Sequence, residues 1–112
     1  MTPRVSAGEG DRWLFWCPGC DHAHVITVPP WTFDGDRERP TVSPSVLVQG
    51  VQWAAEHPFY DTAHAGVPEG GAIICHSFVR DGRIEYLNDS THALAGQTVD
   101  LPDWPPRFEE EA

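Results

Sequence analysis

The side chains with the most chemistry to offer in this chain are three cysteines and six histidines. Cys17-Pro18-Gly19-Cys20 is a tight turn that aims two sulfurs at one point, as in a zinc knuckle. A tetrahedral metal needs two more donors. Cys75 is the only remaining cysteine, so the fourth donor is a histidine or a carboxylate. His22 and His24 follow the knuckle, and His76 adjoins Cys75. Neighbouring side chains on a strand face opposite ways, so a strand that turns Cys75 to a metal turns His76 away from it. His24 opens a β-branched run and can turn toward the knuckle. The expected ligand set is Cys17, Cys20, His24 and Cys75, holding one structural Zn2+. If His24 does not bind, the site opens to water and a zinc hydrolase becomes thinkable. A buried trio of small thiols or a redox dithiol are the other readings. The redox reading wants a helix after the first cysteine, and a β-rich stretch follows instead.

A second constellation comes from a hairpin. Residues 72–80 and 83–88 flank Asp81-Gly82, the strongest short-range hairpin signal. A two-residue turn pairs Arg80 with Arg83, Phe78 with Glu85 and His76 with Leu87. Asp89 then lies diagonal to His76. Residues 89–96 read as a short helical turn, with Ser90 among free N–H groups that can hold an oxyanion at residues 90–92. A nucleophilic serine needs a base and an orienter for that base. Ser90, His76 and Asp89 are the candidates, with His92 as a rival base or second orienter. Asp-Ser-Thr-His is equally an ordinary helix cap. The stretch Pro40-Thr41-Val42-Ser43-Pro44-Ser45 can place a hydroxyl in a cleft, but reads first as a rigid extended segment. Trp13, Trp16, Trp31 and Trp53 read as core and core-edge residues before a stacking platform.

The elements that must position these groups are short. The 11 prolines and 10 glycines argue against long helices. Aromatic and β-branched runs at residues 12–16, 24–28, 45–49 and 97–101 join the hairpin as strands. The expected fold is mainly β: a single small zinc-stapled domain of about six to seven short strands, with a central hairpin and one short helical turn. Residues 1–11 read as a flexible leader, 12–102 as the zinc-stabilised β domain and 103–112 as an acidic C-terminal tail. With 17 acidic against 7 basic residues, the net charge is −10, which disfavours nucleic acid and anionic membranes as partners. No apolar run approaches the ~20 residues of a membrane span, and no signal-peptide h-region is visible, so a cytoplasmic setting is expected.

The order C-P-G-C-x3-H, P-T-x-S-P-S, C-H-x-F-x-x-D-G-x-I and D-S-T-H-x-L-A-G-Q-T-V-x-L-P resembles a small zinc-binding family of unknown function from phages and bacteria. Its members are often mislabelled ammonia monooxygenase, a label with no support in this chain. The resemblance spans about Phe15 to Pro102 and is most specific from Asp89 onward. Members of what looks like the same family are serine peptidases of bacterial ubiquitin-like conjugation (Bub) operons, where they trim the ubiquitin-like precursor. The resemblance therefore implies a hydrolase whose partner is the tail of a ubiquitin-like protein, in a bacterial or phage-infected cell. It brings forward His76, Asp89, Ser90 and His92, which stand in the matching motifs. The alternative is a non-catalytic zinc-binding module that offers its aromatic surface to a protein partner.

Overall fold

A computed structural model describes residues 3–104. The knuckle organises the first sheet. Strands β2 (Arg12–Cys17) and β3 (His22–Thr27) pair antiparallel, and Cys17 stands opposite His22. The Asp21 N–H donates to the Cys17 carbonyl at 2.8 Å, and Asp21 takes φ 61 to close the turn. Strand β1 (Val5–Ala7) adds to the free side of β2, inside the segment expected to be a loose leader. Val5 is buried there, because it stands opposite Phe15 on the inner face.

The second sheet has the order β4-β5-β6-β7-β8 and is antiparallel throughout. Its centre is the hairpin of β6 (Ala72–Arg80) and β7 (Arg83–Tyr86). Asp81 and Gly82 take φ 53 and φ 80, the two positive values that a type I′ turn requires. The pairs Arg80–Arg83 and Phe78–Glu85 follow. Strand β5 (Val42–Val51) flanks β6, and β8 (Thr98–Asp100) flanks β7. The short β4 (Thr32–Phe33) meets β5 only at Ser43 and Val42.

The register of β5 breaks between Val42, opposite Val79, and Val46, opposite Ser77. Ser43, Pro44 and Ser45 thus face Phe78 alone. Proline has no N–H for the ladder, so the strand bulges there.

The two sheets bury one core between them. Phe15 and Ile26 come from the first, and Val46, Val79, Ile84 and Tyr86 from the second. Each such side chain contributes roughly 1.5–3 kcal/mol on burial. The domain is mainly β, with a single 3-10 turn at Thr62–His64 among the described residues. The helical turn expected at residues 89–96 is absent; non-helical turns take its place. No helix among the described residues is long and apolar enough to cross a membrane.

Candidate metal centre and active site

Alternation along β6 decides which chemistry goes where. Cys75, Ser77 and Val79 point into the core, while His76 and Phe78 are only part-buried on the opposite face. The hairpin therefore carries two separate clusters, one on each side.

On the inner side Cys17, Cys20, Cys75 and His92 are all buried, with one donor atom each within 4.8 Å of all the others. Cys17 Sγ and Cys75 Sγ are 3.8 Å apart, and Cys75 Sγ is 3.5 Å from His92 Nε2. A tetrahedral ion with Zn–S and Zn–N bonds of usual length has edges of ~3.8 Å between sulfurs and ~3.6 Å between sulfur and nitrogen. The four residues fit a metal ion.

The electrostatics agree with that fit. Cys17 is held far below the usual thiol range by hydrogen bonds from Cys20 and Cys75, against the penalty of burial. Cys20 is pushed up by its bond to Cys17, and Cys75 is pushed up to about 12, first by the same partner. One buried thiolate, on Cys17, is thus favoured while its two neighbours hold their protons, and a cation among them would favour the thiolate form of all three. Burial pushes His92 down, so its imidazole is neutral and able to donate an electron pair. The Tyr86 hydroxyl lies 3.1 Å from Cys17 Sγ and accepts the Gly19 N–H at 3.0 Å. His64 Nε2 lies 3.3 Å from Cys20 Sγ, and its Nδ1 meets Thr91 Oγ1 at 2.5 Å. Such outer contacts orient the ligands.

The fourth corner differs from expectation: it is His92, and His24 is not in the cluster. The β2–β3 register explains this. His24 stands opposite Phe15, two positions up the ladder from Cys17, and its ring packs edge-on against that of Phe15 at 5.7 Å. His24 is buried and lowers the Cys17 thiol, but its Nε2 has no hydrogen-bond partner among the described residues. His22, the other candidate in the turn, is exposed. His92 reaches the cluster because the chain after β7 folds back along β6. The Thr91 N–H donates to the Ile74 carbonyl at 2.8 Å, which leaves His92 beside Cys75.

On the outer side His76 sits between two partners. Its Nδ1 is 3.1 Å from Asp89 Oδ2, and its Nε2 is 3.2 Å from Ser45 Oγ. Asp89 holds one ring nitrogen as a donor, so the other is left free to accept from the serine hydroxyl. Leu87 donates to the His76 carbonyl at 2.9 Å, which places Asp89 diagonal to His76. Ser45 is diagonal from the other side, since Leu47 stands directly opposite His76. The bulge at Pro44 delivers the hydroxyl, and Trp31 Nε1 fixes it by donating to the Ser45 carbonyl at 2.8 Å.

Ser90, the expected nucleophile, does other work. Its Oγ accepts the His76 N–H at 3.0 Å and donates to the His76 carbonyl at 3.1 Å. No hydrogen bond joins it to an imidazole among the described residues. Thr91 treats Ile74 in the same way through its Oγ1. Residues 90 and 91 act as a strand partner for β6, built from hydroxyls. The oxyanion donors expected at residues 90–92 are in part consumed, because Ser90 N–H bonds to Leu87 and Thr91 N–H to Ile74. His92, the rival base, belongs to the metal cluster. The sequence signal for Ser45 was Pro44, since a proline within a strand marks a bulge, and a bulge re-aims a side chain.

The family model for the bacterial ubiquitination-like system serine protease, BubE, matches residues 2–87. That span holds Cys17, Cys20, Ser45, Cys75 and His76, and ends before Asp89 and His92. No curated protein and no solved structure matches the chain.

Proposed function

The chain belongs to the BubE family of bacterial ubiquitination-like system serine proteases, and on that premise we propose that it is a serine peptidase with Ser45, His76 and Asp89 as its triad. The carrying observation is the unbroken chain of hydrogen bonds from Ser45 Oγ through both His76 nitrogens to Asp89. In the first step Ser45 Oγ attacks the scissile carbonyl carbon, and its proton passes to His76 Nε2. The C–N bond then breaks, the leaving amine takes that proton, and the acyl group stays on Ser45. Water attacks the acyl ester, giving one proton to His76 and releasing the carboxylic acid. The proton returns to Ser45. Asp89 keeps the imidazole in the required tautomer and stabilises its charged form.

The substrate of this reading is the C-terminal tail of a ubiquitin-like protein in a bacterial cell. The net charge of −10 suits a neutral or basic tail. The bound metal in this reading is one Zn2+. Its role is to staple the knuckle to β6 and to the chain around His92, contributing folding energy. Four protein donors make a closed site, which favours this role over a hydrolytic zinc.

The test is covalent labelling. A fluorophosphonate should attach to Ser45 in the wild type, and Ser45→Ala should lose both the label and cleavage of a ubiquitin-like precursor. Labelling at Ser90, or a fully active Ser45→Ala protein, would overturn the triad.

A further inference from the structure

Strand β5 has a free edge beside the nucleophile. The backbone of His76 faces β7, since its carbonyl accepts from Leu87 and its N–H donates to Ser90. The backbone of Ile74 faces the same way, bonded to Thr91. Their partners across the ladder, Leu47 and Gln49, therefore turn their own N–H and C=O groups away from β6. Val51 continues that alternation. β4 covers β5 only at Ser43 and Val42, so no described residue bonds to the backbone of Leu47, Gln49 or Val51 on that side. Roughly 13 Å of unpaired edge runs from Leu47 to Val51.

Exposed apolar side chains gather at the same place. The exposed large hydrophobic residues among those described are Val25, Leu47, Val51, Trp53 and Phe59. Leu47 and Val51 stand on this edge, and Trp53 and Phe59 line a cleft of about 310 Å³ beside Gly50. A bare strand edge flanked by apolar surface is a site for another strand.

Resting on the triad reading above, we infer that the substrate binds as an added strand on the Leu47–Val51 edge of β5, with the residues before its scissile bond paired antiparallel to that edge. Direction follows from what closes the other end. Past Ser45 the edge is taken by Trp31 Nε1 and β4. An antiparallel guest enters at Val51, runs to Leu47 and reaches Ser45 with its carbonyl, while the leaving segment turns off the sheet. A parallel guest would need its acyl side where β4 lies. Alternate guest side chains fall on Leu47 and into the cleft by Trp53 and Phe59. The substrate class is thus an unfolded, extended segment with several apolar residues on the acyl side. A folded loop or a single amino-acid derivative does not qualify.

The experiment uses acetylated peptidyl aminocoumarin amides with one to five apolar residues before the coumarin. In the wild type, kcat/KM should climb at least ~100-fold along the ladder, as successive backbone bonds are added. N-methylation of the ladder peptides should cost ~10-fold at alternate positions and little at those between. Gln49→Pro removes an N–H that the β5–β6 ladder does not use, and should cut the advantage of five residues over one by ~10-fold. Metal content and thermal midpoint check its folding; if it fails to fold, the N-methyl series in the wild type decides. A flat length dependence, or N-methylation without alternation, overturns the inference. So does a wild-type dimer that Gln49→Pro dissociates in sedimentation, because a second copy would then own the edge. Ser45→Ala separates the two proposals: if it still cleaves the ladder, the triad falls, whereas an inactive Ser45→Ala beside a flat wild-type ladder removes the edge alone.

Discussion

The imidazole of His92 fills the space that a β-carbon on Gly19 would need: built on the Gly19 backbone, that carbon falls 2.5 Å from Nε2 and 2.6 Å from Nδ1. The glycine of the knuckle is therefore there for close approach. Gly19→Ala should push His92 out of the cluster and destabilise the protein by about 1–3 kcal/mol, the usual cost of overpacking. Competition with a chromogenic chelator checks it, and unchanged metal retention would contradict it.

Ser45 and Ser90 should separate cleanly under substitution. Ser45→Ala should lower the cleavage rate by about three powers of ten or more, with little change in the unfolding midpoint. Ser90→Ala removes both bonds to the His76 backbone and strands a part-buried N–H, at about 1–3 kcal/mol of stability. It should keep much of its activity below its melting temperature. Paired urea melts and rate measurements distinguish the two, and the opposite pattern would reinstate Ser90.

Asp89→Asn keeps the shape of the residue but no longer fixes the imidazole as donor at Nδ1. A fall in kcat of about two to four powers of ten is expected, with KM nearly unchanged. Steady-state kinetics on one peptide reads this directly. A change confined to KM would assign Asp89 to substrate binding.

Acid should weaken the fold. Burial pushes His64 and His92 below the ordinary imidazole range, so both stay neutral in the folded state where the unfolded chain takes up protons near pH ~6.5. Their contribution is present above that pH and is lost as pH falls toward the lowered folded values. Proton competition for the metal donors acts in the same direction. Urea midpoints measured from pH 8 to pH 5 should fall below pH ~6.5, and a midpoint that rises on acidification would refute the argument.

Local rules made much of this legible. Asp81-Gly82 dictates a turn with two positive φ values, and that turn sets the β6–β7 register. Period-two alternation then separates Cys75 from His76 whatever the rest of the chain does. The knuckle brings Cys17 and Cys20 together by covalent proximity alone, and Asp89 follows from the same hairpin as a diagonal neighbour of His76. The other partners depended on how separate pieces of chain come to lie side by side. His24 is four residues from Cys20 in sequence, yet its ladder position sets it against Phe15, while distant His92 is carried in by hydroxyls bonded along β6. Ser45 became the partner of His76 only through the bulge at Pro44 and the β5–β6 pairing across 31 residues. Sequence spacing predicts contacts within one turn or one hairpin, where chain geometry leaves few choices. Contacts between elements are chosen by the packing of whole sheets, and there His92 stands beside the cysteines in place of His24, and Ser45 stands beside His76 in place of Ser90.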